Sequence, residues 1–220
     1  MSKLFIDFPK QEAKEASWKD TVGTIRSGRI DPYSKSPMSL NTWRLTCDTE
    51  DIAKTIAKEY GGEVTEWETK GSDRYEVITE RDVIGVQLLS IKSELILWGQ
   101  RKPVRVCDGA TRIDDNHAGE GCKCAADYPV MWDRKTAAGD GEACKPNIQA
   151  TMNLVDFPDL GIFKWQTSSW LVAEDYANWL DELATVKGTA NMRIEQYVTK
   201  TNQPRQKTVF DGLEVEQATA

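Results

Sequence analysis

Val104-Arg105-Val106-Cys107-Asp108-Gly109, then Cys122-Lys123-Cys124, then Cys144-Lys145-Pro146: this punctuated stretch decides how the chain is organised. It holds four of the five cysteines, and between them lie Asp114-Asp115-Asn116, Gly119-Glu120-Gly121 and Ala138-Gly139-Asp140-Gly141. Such residues supply turns rather than a packed face. A stretch this long with no apolar period is costly to order unless something staples it. Four thiolates converging on one Zn²⁺ would do so, because zinc takes four sulfur ligands tetrahedrally. The expectation is a structural zinc on Cys107, Cys122, Cys124 and Cys144, within an insertion spanning residues 104–147. The spacing lacks paired Cys-x-x-Cys knuckles. An iron–sulfur cluster also uses four thiolates, although this spacing fits no common run, and disulfides or plain thiols complete the alternatives. His117, the one histidine, could replace a cysteine, against the plainer reading of a solvated loop residue. Asp114, Asn116 and Gly119 imitate the start of a calcium loop, but Ala118 and Ala125 stand where oxygen ligands belong, which excludes calcium.

Outward from this stretch, strand and helix patterns alternate on both sides. On the N-terminal side, Thr42-Trp43-Arg44-Leu45-Thr46-Cys47 alternates and is rich in strand formers. Asp48 then reads as a helix cap, Ile52, Ile56 and Tyr60 as one helical face, and Gly61-Gly62 as the stop. Strands are expected near Glu63–Glu68, Arg74–Thr79, Ile84–Ile91 and Glu94–Gly99. On the C-terminal side, strands over Gln149–Asp156 and Ile162–Thr167 precede a helix capped by Ser168 or Ser169. That helix is expected to run to Lys187, with Val172, Tyr176, Trp179, Leu180 and Leu183 on one face and Gly188 as its stop. Met192–Thr199 and Thr208–Val215 follow as strands, joined at Asn202-Gln203-Pro204-Arg205.

Both halves thus read strand–helix–strand with a glycine-stopped helix. The fold expected is α+β: two related lobes with antiparallel or mixed sheets, over residues 39–103 and 148–216, with the cysteine-rich insertion between them. Residues 1–38 read as an N-terminal arm, with a short helix over Gln11 to Lys19.

At 220 residues the chain can bury a sizeable core. A net charge of −7 disfavours a protein that grips DNA through a broad basic face. No apolar run reaches membrane-spanning length and Met1 to Lys10 lacks signal-peptide architecture, so an odd cysteine count points to a reducing cytosol. Cys47 reads as a small buried hydrophobe. Basic residues cluster at Arg101, Lys102 and Arg105, and at Lys200, Arg205 and Lys207, where solvated turns are the plain reading and phosphates or an acidic protein surface the sharper one. The common phosphate-binding, dinucleotide, serine-hydrolase and metalloprotease motifs are absent, and a closed four-thiolate zinc leaves no open position for catalysis. The chain is expected to bind rather than to turn over a substrate.

Several stretches in order carry a resemblance. They are Gly28-Arg29-Ile30, Pro37, Leu40-Asn41-Thr42-Trp43-Arg44-Leu45-Thr46, Ala57-Lys58-Glu59-Tyr60-Gly61-Gly62-Glu63-Val64 and Glu66-Trp67. Tyr75-Glu76-Val77-Ile78-Thr79, the three cysteine segments, Leu160-Gly161-Ile162-Phe163-Lys164-Trp165 and Ile194-Glu195-Gln196 continue it. Together they resemble the recombination directionality factors of actinobacterial phages, accessory proteins of large serine integrases. The resemblance implies a protein of the host bacterial cytoplasm that binds the integrase, touches DNA only weakly or indirectly, and switches the enzyme from integration to prophage excision. It implies no catalytic residue and assigns no partner-binding one. The competing readings are a zinc-stapled nucleic-acid-binding protein of phage DNA metabolism and an enzyme, such as a nuclease, with unrecognised carboxylates.

Overall fold

The computed structural model describes residues 20–31, 33–67, 71–176, 179, 184, 187–198, 202 and 204–214. The helix expected over Gln11 to Lys19, together with Leu180, Leu183 and Lys200, lies outside them. Helix α1, Glu50–Tyr60, forms where the sequence pattern placed it. Acidic Glu50 and Asp51 sit in its first turn, where the helix dipole favours them. The cap is Thr49 rather than Asp48. Ala53, Ile56 and Tyr60 form the buried face, with Ile52 at its margin. Gly61 and Gly62 end the helix at φ 75° and 93°, a backbone region that glycine adopts without strain.

The strands are β1 Gly23–Ile30, β2 Pro37–Cys47, β3 Val64–Glu66, β4 Tyr75–Ile78, β5 Val83–Trp98, β6 Pro103–Cys107, β7 Lys145–Leu154, β8 Phe163–Thr167, β9 Thr189–Val198 and β10 Pro204–Glu214. Short helices that lie wholly among the described residues are α2 Lys123–Asp127, α3 Met131–Gly139 and α4 Trp170–Asp175. The architecture is α+β and rich in strand. Among the described residues the strands hydrogen-bond in the order β10-β9-β5-β7-β8-β1-β2-β4-β3, with β6 added to β5. Most pairs are antiparallel, but β1 and β8 run parallel, so the sheet is mixed.

The described residues fall into two units. One comprises residues 20–91, Ala150–Gln166 and 184–214. Its core is aromatic and aliphatic: Trp43, Leu45, Ile56, Tyr60, Ile84, Phe163 and Met192 are all buried, and Trp165 meets Phe210 edge-on at 5.4 Å. Strands from both sides of the cysteine region interleave in this unit, β1 beside β8 and β5 beside β9. The two lobes expected from the repeated strand–helix–strand pattern are therefore not what the contacts group together. Their edges pair with each other instead of closing two separate sheets.

Gly23–Ile30, expected within an N-terminal arm, is the strand β1, flanked by β2 and β8. Its glycines hid it. At Gly23 a Cβ would run into the Thr46 carbonyl and come within 2.8 Å of the Phe163 ring. Here glycine permits close strand approach rather than marking a loop.

The other unit comprises Lys92–Gln149 and Thr167–Trp179. It holds the far half of β5, β6, α2, α3, the start of β7 and α4. The break expected in β5 near Lys92-Ser93-Glu94 does not occur. Glu94 is buried, accepts from Asn147 Nδ2 at 3.1 Å and meets Lys92 Nζ at 3.2 Å, so a polar residue occupies an inward position with partners. Ser169 caps α4, its hydroxyl accepting from the Val172 N–H at 3.4 Å, and Val172 is buried as expected. No helix among the described residues is long and apolar enough to cross a membrane.

Candidate metal centre

Cys107 ends β6, Cys122 caps α2, Cys124 lies in its first turn and Cys144 immediately precedes β7. The four Sγ atoms lie within 4.8 Å of one another, and all four residues are buried. All are free thiols, and Cys47, the fifth, is buried elsewhere with its thiol pushed up to about 12 by burial and by Asp73 and Asp48. His117 is not part of the group. Its ring faces solvent, 3.2 Å from Glu120.

The loops around the cysteines owe their shape to local bonds. After Cys107, the Asp108 carboxylate accepts from the Ala110 and Thr111 N–H groups at 2.9 and 2.8 Å and from the Thr111 hydroxyl at 2.7 Å. Burial works against the Asp108 charge, but these donors outweigh it and hold the carboxyl below its ordinary range. Gly109 follows at φ 107°, which explains the Asp-Gly pair. The next loop folds back through Arg112 N–H to Glu120 O at 2.7 Å, and Cys122 N–H donates to Ala110 O at 2.8 Å. Arg112 clasps Asp114 through both guanidinium and carboxylate.

The stretch between Cys124 and Cys144, expected to be turns, contains α2 and α3. The buried face of α3 is Arg134, Ala137 and Ala138, at i, i+3, i+4 spacing. Two alanines and an arginine carry little apolar signal, which is why the sequence pattern concealed a helix. Arg134 is 1 % exposed and donates to Gly109 O at 3.0 Å and Tyr128 O at 3.3 Å. It thereby ties α3 to the turn after the first cysteine. The cysteines share one apolar cluster with Leu95, Ala137, Ala138 and Ala143, with Trp170 of α4 packed against it. Lys135 braces that helix, 2.7 Å from Glu174.

Cys107 and Cys124 sulfurs are 3.8 Å apart, and Cys122 and Cys124 are 2.9 Å apart. Four sulfurs around a tetrahedral zinc with bonds of about 2.3 Å stand about 3.8 Å from one another. The first distance fits that arrangement. The second is too long for a disulfide and would open on metal binding. Cys124 accepts hydrogen bonds from Cys107, Cys144 and Cys122 and from the Cys144 backbone, which hold its thiol far below the ordinary range. Cys107, bonded to Cys124 and Cys144, is pushed far above it. Its bond to Cys144 favours the Cys144 thiolate, but Cys124 and burial outweigh that and push Cys144 up to about 12. Without a cation, then, the group shares out few negative charges. A dication at its centre removes that restriction.

The sequence grouped Arg105 with Arg101 and Lys102 beside the first cysteine, as a solvated turn or a contact for phosphates or an acidic surface, not as a partner of the thiols. Arg105 lies on β6, close to the cysteines. Burial disfavours its charge, yet the sulfurs of Cys144, Cys122 and Cys124 hold the guanidinium above its ordinary range. Arg101 and Lys102, expected to cluster with it, are exposed on the turn before β6. Of the second basic cluster, Lys207 pairs with Glu195 at 2.9 Å. The arrangement of four buried, converging thiols beside a guanidinium is compatible with a closed metal site.

A family model described as Gp3-like, recombination directionality factor-like, matches residues 22–217. No solved structure matches the chain.

Proposed function

Because the chain belongs to the Gp3-like, recombination directionality factor-like family, we propose that it binds a large serine integrase and switches that enzyme from integration to excision, releasing the prophage. The family match over residues 22–217 is the observation that carries this reading. In physical terms, the factor binds the synaptic complex that leads to excision more tightly than the integrative one. A ligand shifts an equilibrium only through such a difference in affinity. The integrase cuts and joins the DNA, and this chain acts as a regulator rather than an enzyme. The net charge of −7 favours a protein partner over a broad grip on DNA. The site of action is the cytoplasm of the host bacterium, where the integrase meets its attachment sites.

Cys107, Cys122, Cys124 and Cys144 would hold a structural Zn²⁺ in this reading. The ion would supply cross-linking of the loops, with no open coordination position for chemistry. Arg105 offsets part of the negative charge that four thiolates leave on a dication. The test of partner binding is co-elution of the purified chain with its cognate integrase on a sizing column. A stable complex supports the proposal, and separate elution at concentrations well above the expected affinity opposes it.

A further inference from the structure

Arg26 and Arg44 stand directly opposite each other across the antiparallel pair β1–β2. Like charges at such positions destabilise a sheet. Arg44 is compensated: its Nε meets Glu76 Oε2 at 2.5 Å, and its guanidinium lies 4.4 Å from the centre of the Trp67 ring. Arg26 is less well served. Its guanidinium lies 5.7 Å from the same ring, and its Nε is buried without a hydrogen-bond partner. Asp73 acts on it only through space. The Asp73 carboxylate is already engaged, accepting from Thr24 at 3.1 Å, Thr46 at 2.5 Å and Ser72 at 3.2 Å. Burial and the neighbouring Arg44 both lower the Arg26 pKa, and Asp73 offsets only part of this. A buried guanidinium N–H without a partner is expensive, and a bound anion is one way to complete it.

A cavity is present to receive that ligand. Arg26, Ser27, Lys164 and Gln166 line a space of about 350 Å³, and Arg26 and Lys164 also line an adjoining one of about 110 Å³ beside Trp67 and Ser72. The register of β1 against β2 shifts between Arg26 and Gly28. Such a bulge bends a strand and re-aims its side chains. Among the described residues that line the two spaces, the charged ones are Arg26, Lys164 and Asp73.

We propose that this cavity is an anion site for a phosphate group, with the Arg26 guanidinium as its principal donor and Lys164 as a second cation. The planar fork of arginine matches phosphate oxygens, and the ammonium of lysine adds a point charge. The volume falls at the small end of ligand cavities, roughly 300–1,000 Å³, which suits a phosphate carrying a body of nucleotide size. The phosphate comes either from a free nucleotide or from a DNA backbone. The inference is independent of the integrase reading, and its test needs no integrase.

The full chain is titrated calorimetrically, at constant ionic strength, with inorganic phosphate, a deoxynucleoside monophosphate and a short DNA duplex. At least one should bind and raise Tm. Arg26→Gln should weaken that binding by about tenfold or more, the loss of a bidentate charged pair. It should leave the ligand-free Tm unchanged or higher, since it removes a charge that Asp73 only partly offsets. Binding of phosphate or nucleotide without duplex assigns a free ligand, and Arg26-dependent binding of duplex alone assigns the DNA backbone. If Arg26→Gln does not fold, Arg26→Lys decides, keeping the charge while losing the fork and most of the affinity. Absence of binding by all three probes, or binding that survives both substitutions, overturns the proposal.

Discussion

Arg134 Nη1 donates a 3.0 Å hydrogen bond to the carbonyl of Gly109, joining a buried face of α3 to the turn that follows Cys107. The same guanidinium donates to Tyr128 O. Replacing it with methionine leaves two carbonyls to find other partners. Each buried polar group left unsatisfied costs about 1–3 kcal/mol. Arg134→Met is expected to lower stability by a few kcal/mol, on the order of 2–5 in total. Urea denaturation measures this, and a midpoint unchanged from the parent would show the bonds to be dispensable.

The purified chain is expected to carry about one zinc, as a closed four-thiolate site does. Cys122→Ser and Cys144→Ser should each release it and destabilise the loops around α2 and α3, because site formation is coupled to folding. Elemental analysis of protein prepared without added metal or chelator reads the content directly. A metal-free chain that is as stable as one supplied with zinc would exclude the structural role.

Ile56 is fully buried on α1. Ile56→Ala removes core methyl groups and leaves a cavity, a change that costs on the order of 2–5 kcal/mol. Thermal and chemical denaturation should both report it. A loss below half a kcal/mol would mean that α1 is not held by this face.

Asp114 titrates at about 2, held down chiefly by its bond to Arg112. Because the folded value lies below the unfolded one, the pair's stabilising contribution is present above about pH 4 and is lost as pH falls toward about 2. NMR titration of the Asp114 carboxyl should show a midpoint near that value. In Arg112→Gln it should return toward the ordinary carboxylate range, and an unmoved midpoint would remove Arg112 as the cause.

What was legible in the sequence is what local rules control. Ile56 and Tyr60 at helical spacing before Gly61-Gly62 specified α1, because amphipathicity and the glycine stop act within a few residues. The clustering of Cys107, Cys122, Cys124 and Cys144 was legible because turn-rich loops around four thiols have few other ways to be ordered. Pairing across long separations was not. β1 lies parallel to β8, an association that Gly23 permits but does not announce. The face formed by Arg134, Ala137 and Ala138 escaped because its burial rests on hydrogen bonds and small side chains rather than bulk. The cavity at Arg26 was likewise hidden, since its lining joins Arg26 to Lys164 and Asp73 across long separations.

The central claim is that this chain redirects a serine integrase. The most direct measurement combines the purified cognate integrase, attachment-site DNA and this protein, and scores recombinant products. The account predicts that adding the protein turns on recombination between the hybrid left and right sites and suppresses recombination between the original phage and host sites. An unchanged product distribution at saturating protein would contradict it.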